Sequence, residues 1–255
     1  MLKIQAIAIN TFREAVRDKI LYNLLIFALL IIGCSVLVGT LTIGEQQKII
    51  KDMGLASISI FGVLIAVFVG IGLVYKEIDR KTIYNIISKP VHRYQFLIGK
   101  YLGLVLTLLV NVLIMAGVFL SIVYGLEGTV GLPVIQAIFL IFLELMLITA
   151  VALLFSTFST PALSATFTLA IYVIGHWSKD LRLFGAKAEQ IWIRHITQAL
   201  YYIMPNLENY NIKGLVVNNI SLPDHFICLS SFYGLIYIGI LLLLSICIFE
   251  RRNFK

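Results

Sequence analysis

Residues 22–43 contain no charged side chain, and this stretch limits the environments in which the chain can fold. About 20 consecutive apolar residues cross the hydrocarbon core of a bilayer as an α-helix. Only 13% of the 255 residues are charged, whereas soluble domains average about a quarter. Five further apolar stretches occur at about residues 55–75, 96–124, 133–155, 162–177 and 226–249. The sequence therefore predicts a single-domain, all-α integral membrane protein with six transmembrane helices.

Lys and Arg residues are concentrated in three of the segments that flank these stretches. The N-terminal tail carries four of them, residues 76–100 carry six and the C-terminal tail carries three, which is 13 of the 20 in the chain. Six spans place all three segments on one side, and Lys and Arg are enriched in cytoplasmic loops. Both termini are therefore predicted to be cytoplasmic. The net charge of +7 fits topology and contacts with anionic membrane lipids, and because the bases are dispersed it does not favour a nucleic-acid partner.

Residues 1–20 form an amphipathic pattern before the first span. Ile4, Ala8 and Phe12 fall on one face of a helix, and Arg13 and Arg17 fall largely on the other. A helix of this kind lies in the plane of the membrane interface. The pattern predicts a helix at the cytoplasmic surface.

Residues 178–224, between the fifth and sixth spans, are predicted to be extracytoplasmic and contain a second amphipathic helix. Trp192, Tyr201 and Tyr202 in that helix suit the headgroup level of a bilayer. Two interpretations stay open: the helix roofs the exit of a cavity in a dimer, or it only anchors the chain at the outer leaflet.

The sequence lacks the motifs of several enzyme classes. It has no GxxxxGK[ST] loop, so the chain itself is not expected to bind ATP, and it has neither HExxH nor GxSxG. Of the four histidines, only His225 lies three residues from a cysteine, Cys228, and one such pair is too few ligands for a metal site. We therefore predict no catalytic residue, no metal site and no cofactor in this chain.

Two features inside the spans are candidates for specific contacts. Glu144 is the one acid deep in a predicted span, where a charge is costly and is by default a functional hypothesis. It faces a substrate path or a partner group, or it only fixes helix packing. Gly99 and Gly103 have the spacing of small residues that allow helices to approach closely.

The connection between the second and third spans holds the highest density of charge. Residues 77–90 have isoleucines at helical spacing, bases near the start and Pro90 at the end. This pattern predicts a short amphipathic helix, whose bases either set the topology alone or dock a soluble partner.

The sequence KEIDRKTIYNIISKPVHRYQFLIGKYLG, at residues 76–103, resembles the corresponding loop of type-two ABC exporter permeases. The closest subgroup is the permease type found with copper-enzyme maturation systems. The resemblance extends over the whole chain, including the LLFSTFSTPALS turn and the basic RRNF end. The residues that match the family pattern in the loop are Glu77, Arg80, Thr82, Pro90, Arg93, Phe96, Gly99 and Lys100.

The resemblance implies a permease half of an ABC exporter in a bacterial inner membrane. Such a chain pairs with a second copy or a homologous permease and with two cytoplasmic ATPase subunits, which bind ATP and Mg²⁺. Members differ in substrate, so no cargo is specified, and an accessory extracytoplasmic protein is left open as a further partner. The alternative is a membrane scaffold that recruits a cytoplasmic partner without transport. The implied ATPase-coupling residues are Glu77, Arg80, Lys81, Thr82, Pro90 and Arg93.

Overall fold

The computed structural model describes residues 2–42, 44–79, 92–187, 190–218, 220, 223 and 225–251, and in this part of the chain all regular structure is helical. Ten α-helices and one 3-10 helix (η1) follow one another. In chain order they are α1 Leu2–Val16, α2 Lys19–Thr40, α3 Gln46–Asp79, α4 Arg93–Glu127, α5 Leu132–Ser156, α6 Pro161–His176, α7 Ser178–Lys187, α8 Ile191–Ile203, η1 Leu207–Tyr210, α9 Lys213–Val217 and α10 Phe226–Arg251.

Five of the described helices are long and apolar enough to cross a membrane, namely α2, α3, α4, α5 and α10. They correspond to five of the six predicted spans. The remaining predicted span, the fifth along the chain, is α6, which has 16 residues and is therefore only about 24 Å long. A bilayer core is about 30 Å thick, so the count of six spans stays a prediction.

The predicted boundaries differ most at the second span. Residues 44–54 were expected to be a polar loop, but α3 begins at Gln46 and includes most of them. The charges of this first part of α3 have partners, because Lys51 pairs with Glu127 at 2.8 Å and Lys48 pairs with Glu45 at 2.9 Å. The helix therefore extends beyond the apolar stretch at this end.

Other helix ends follow local capping. The expected helix over residues 1–20 ends at Val16, and Asp18 caps α2 by accepting a hydrogen bond from the backbone of Ile20 at 2.9 Å. Helix α4 is longer than residues 96–124 and stops at Gly128, whose φ of 71° suits glycine. The first span is α2, which begins and ends earlier than the predicted residues 22–43.

The central helices of the bundle are α3 and α5, which are the most buried of the long helices. Helices α2 and α10 lie at the periphery and expose apolar side chains, which is expected of surfaces that face lipid or another membrane helix. Examples are Phe27, Leu30 and Leu37 of α2 and Leu229, Phe232 and Leu243 of α10.

Candidate functional site

Three helices meet at one end of the bundle, which we call the basic end: α1, the start of α4 and the end of α10. Arg93, the first residue of α4, donates hydrogen bonds from Nη1 to the carbonyl oxygens of Phe249 at 3.1 Å and Glu250 at 3.0 Å. These carbonyls belong to the last described turn of α10, where carbonyl oxygens have no N–H donor within their own helix. The positive guanidinium of Arg93 also interacts favourably with the negative, C-terminal end of the α10 dipole.

Helix α1 lies against α4 through the two glycines singled out in the sequence. A Cβ on Gly99 would come within 2.7 Å of the Ile7 side chain, and one on Gly103 within 2.6 Å of the Ala8 carbonyl oxygen. Between them, the buried Lys100 ammonium lies 3.7 Å from the Glu14 carboxylate. The predicted close helix packing at this pair of glycines is therefore present, and its partner is α1.

Two of the predicted ATPase-coupling residues, Glu77 and Arg93, are among the described residues. Glu77 belongs to the last turn of α3 rather than to a separate helix, and Arg93 begins α4. The remaining coupling residues, Arg80, Lys81, Thr82 and Pro90, lie outside the described residues, so the predicted helix over 77–90 stays a prediction. The structure adds a contact that the sequence did not indicate, which is the one between Arg93 and α10.

Glu144 lies in the middle of α5 with 1% of its surface exposed. Its Oε1 atom is 3.4 Å from Nε2 of His176, the last residue of α6. In the part of the chain that the structure describes, that oxygen accepts no hydrogen bond. His176 in turn contacts the backbone oxygen of Tyr172 through Nδ1 at 3.1 Å. Glu144 is therefore in contact with a second helix, and its role as an intramembrane polar site stays a prediction.

Charged residues of the segment after α6 also surround Glu144. Lys213 of α9 interacts electrostatically with Glu144 and with Asp52 of α3. Burial lowers the pKa of Lys213 below its ordinary value, and the two carboxylates raise it. Glu208 of η1 interacts with Glu144 and His176. We call Glu144, which is buried, and the half-buried His176, Glu208 and Lys213 around it the buried charge cluster.

Tyrosine side chains fasten this same segment to α10. The Tyr210 hydroxyl donates to the carbonyl oxygen of Ser230 at 3.3 Å, and Tyr237 donates to that of Ile203. Tyr233 accepts a hydrogen bond from the backbone of Asn206 at 3.0 Å. Buried backbone groups need such partners when they are not in a helix.

The turn between α8 and η1 enters the bundle against the end of α6. A Cβ on Gly175 would meet the Leu207 side chain at 2.7 Å and the Pro205 carbonyl oxygen at 2.8 Å. Leu207 and Tyr210 have no exposed surface. The sequence predicted a polar extracytoplasmic segment and did not predict that this turn enters the bundle. The one signal in the sequence was Glu144, an acid in an apolar stretch that needs a partner group.

The predicted aromatic helix is present as α8, and it forms a hairpin with α7. Trp192 and Tyr202 are 62% and 72% exposed on its surface. The ring of Tyr201 lies below the Arg182 guanidinium of α7, at 5.2 Å from its centre. The rings of Tyr201 and Tyr202 contact each other edge to face, with their centres 5.5 Å apart, whereas Trp192 lies on an open face.

The helices and their buried charges define a multi-pass helical membrane protein. The sequence of residues 5–254 matches the family described as ABC-2 family transporter protein. The chain belongs to that family and is the membrane permease component of an ABC transporter. No curated protein matches the chain.

Proposed function

We propose that the chain is one half of the membrane domain of an ABC exporter. It pairs with a second copy or a homologous permease, and two cytoplasmic ATPase subunits with bound ATP and Mg²⁺ drive it. The observation that carries this proposal is the basic end. Helix α4 begins there, beside α1 and the end of α10, and residues 80–92 connect it to α3 along the chain.

The contacts at this end suit the transmission of force from an ATPase. A displacement of residues 80–92 acts directly on α3 and α4. Arg93 passes it to α10 through its two hydrogen bonds, and the close packing at Gly103 passes it to α1. Helices joined in this way move as one body, so a small movement at the ATPase is not lost in the connection.

The opposite end of the bundle supplies the exit. In our proposal the basic end is cytoplasmic in a bacterial inner membrane, with both termini inside, and residues 178–224 are outside. The buried charge cluster and the tyrosine hydrogen bonds hold this outer segment closed on the bundle. Trp192 faces away from the bundle, which favours an anchoring role for α8 within each half.

Charge reversal in the connection tests the coupling proposal. The variant Arg80→Glu, Lys81→Glu should weaken binding of the ATPase subunits at least about tenfold, since 1.4 kcal/mol corresponds to a factor of ten. Co-purification and ATP hydrolysis by the reconstituted complex measure this effect. The matched control is Lys48→Glu at the opposite end, where an exposed ion pair is of little energetic consequence.

Two outcomes contradict the proposal. Unchanged ATPase association and hydrolysis in the double variant would show that residues 80 and 81 do not couple. Association that is lost in the variant, with no transport or ATPase stimulation by the unmodified chain, would favour the membrane scaffold instead.

A further inference from the structure

The contact between Glu144 and His176 presents more acceptor atoms than protons. The His176 imidazole faces two oxygens, because Nδ1 lies 3.1 Å from the carbonyl oxygen of Tyr172 and Nε2 lies 3.4 Å from Oε1 of Glu144. A carbonyl oxygen and an ionised carboxylate can only accept hydrogen bonds. A neutral imidazole has one N–H group, so it can donate to only one of these oxygens and sets a nitrogen lone pair against the other. Both contacts are favourable only when the pair carries one additional proton, on the imidazole or on the carboxyl.

Burial makes the absence of this proton costly. Glu144 is 1% exposed, and its Oε1 atom accepts no hydrogen bond within the described part of the chain. The His176 side chain is 19% exposed, and its ring lies against that of Tyr172 with the two centres 4.6 Å apart. An ionised oxygen in such a site loses its hydration without gaining a donor, which disfavours a carboxylate that faces a bare nitrogen.

The charged groups around the pair add to this requirement. Glu208 of η1 interacts electrostatically with both members of the pair. Lys213 of α9 interacts with Glu144 and with Asp52 of α3. Three carboxylates and one ammonium leave an excess of negative charge here when His176 is neutral, and one additional proton reduces that excess. The tyrosines that reach this region from the packed elements are uncharged at neutral pH and have hydroxyl partners. They are Tyr101, Tyr172, Tyr210 and Tyr233.

We propose that Glu144 and His176 bind one proton between them at neutral pH and that this proton holds the end of α6 against α5. The end of α6 also carries the turn between α8 and η1, because Leu207 packs on Gly175. A pair that loses its proton sets a nitrogen lone pair against an oxygen, which pushes the end of α6 and the turn on it away from α5. The link to opening of an exit rests on the proposed transport function, whereas the binding of the proton does not.

The direction of the pH effect follows from the number of protons in each state. Ordinary histidine and glutamate side chains lose their protons at about pH 6.5 and about pH 4.3, so the unfolded chain lacks this proton above about pH 7. The folded state then binds more protons than the unfolded state, and its stability falls as the pH rises. This contribution is fully present below about pH 6.5, and the unfolding equilibrium constant increases up to about tenfold per pH unit until the folded pair also loses the proton.

Spectroscopy of the purified chain in detergent, without any ATPase subunit, can locate the proton at about pH 8. Glu144 is buried, unlike the other acids whose side chains the structure describes, so an infrared band of a protonated carboxyl that shifts in heavy water reports on it. The variant with His92→Asn, His195→Asn and His225→Asn leaves His176 as the only histidine, and nitrogen NMR shows whether both of its nitrogens carry protons. We expect one of these two signals.

Melting temperatures between about pH 6 and about pH 9 measure what the proton contributes to stability. Glu144→Gln replaces the carboxyl by an amide, which donates a hydrogen bond to Nε2 without titrating. We expect the melting temperature of the unmodified chain to fall more steeply above about pH 7 than that of Glu144→Gln, and the difference should reach up to about tenfold per pH unit in the unfolding constant. His195→Asn is the matched control, because His195 is an exposed histidine of α8, and it should keep the unmodified profile.

Two results would overturn the proposal. The first is an ionised Glu144 beside a neutral His176 at about pH 8, which would mean that Lys213 alone balances the carboxylate. The second is the same dependence of the melting temperature on pH in the unmodified chain and in Glu144→Gln, which would show that the proton does not stabilise the fold. The infrared and NMR measurements keep the first test independent of whether Glu144→Gln folds. Because no ATPase takes part, failure here leaves the proposed permease function untouched.

Discussion

The substitution Gly103→Ala tests whether contact between α1 and α4 is as close as the structure indicates. The added Cβ would lie 2.6 Å from the Ala8 carbonyl oxygen and 2.6 Å from Cβ of Thr11. The first of these is a backbone atom of α1, which cannot move away by a side-chain rotation. Helix α1 would therefore have to shift as a whole, and the ion pair between Glu14 and Lys100 would be stretched with it.

The expected magnitude is a difference of two terms. Overpacking a tight contact costs about 1–3 kcal/mol, and replacing a helical glycine by alanine gains up to about 1 kcal/mol in helix propensity. The net loss in free energy of unfolding is then about 0–3 kcal/mol, and a loss of about 2 kcal/mol, near the middle of that range, lowers the melting temperature by about 4–8 °C for a chain of this size.

Thermal melts of the purified protein in detergent measure this loss, with Gly117→Ala as the control. Gly117 is also in α4, but nothing lies within 4 Å of the position that its Cβ would occupy, so its substitution should leave the melting temperature unchanged or raise it. If Gly103→Ala melts at or above the temperature of Gly117→Ala, α1 does not lie on α4 as described.

Three other predictions concern the opposite end of the bundle. In a chain whose cysteines are replaced by serine, Ala186→Cys should react with an impermeant label from outside, and His92→Cys should react only after permeabilisation; labelling of both from one side contradicts the topology. Lys213→Met should lower stability by about 1 kcal/mol, in the range of coupling energies between neighbouring residues, because Lys213 interacts electrostatically with Glu144 and Asp52, and the loss should be smaller when Glu144→Gln is already present; an equal loss in both backgrounds would exclude coupling between the two residues. Trp192→Ala should weaken the association of the hairpin with the membrane and leave ATPase coupling near normal. A changed basal rate of ATP hydrolysis would instead assign α8 to an exit gate.

Local sequence patterns predicted the features that depend on near neighbours in the chain. The five long spans, the amphipathic helix that contains Trp192 and the close approach at Gly99 and Gly103 all follow from spacing within one helix. The boundaries were less well predicted where charges have distant partners. Lys51 could be recognised as part of a helix only through its ion pair with Glu127, which follows it by 76 residues in the chain.

The partners of the predicted intramembrane acid show why the site could be predicted only in part. Glu144 stood out because its stretch is otherwise apolar. Its contacts come from α6, η1 and α9, and no local periodicity relates Lys213 to a position in α5. The same holds for Arg93: its charge and position suggested a cytoplasmic loop, and its bonding to the end of α10 depends on how two distant helices meet.

The short length of α6 and the insertion of the segment after it belong together. At about 24 Å, α6 is shorter than the hydrocarbon core, and its end reaches His176 beside a residue in the middle of α5. The space above that end is filled by the η1 turn, packed on Gly175. Non-helical backbone is tolerated at such a depth only when protein groups satisfy it. Here the Tyr233 hydroxyl accepts from the backbone N–H of Asn206, and the Tyr237 hydroxyl donates to the carbonyl oxygen of Ile203 at the end of α8. In the proposed exporter, opening this end would require these hydrogen bonds to break and the contact between Glu144 and His176 to change. The exit would then open by displacement of the inserted turn rather than by a simple tilt of the long helices.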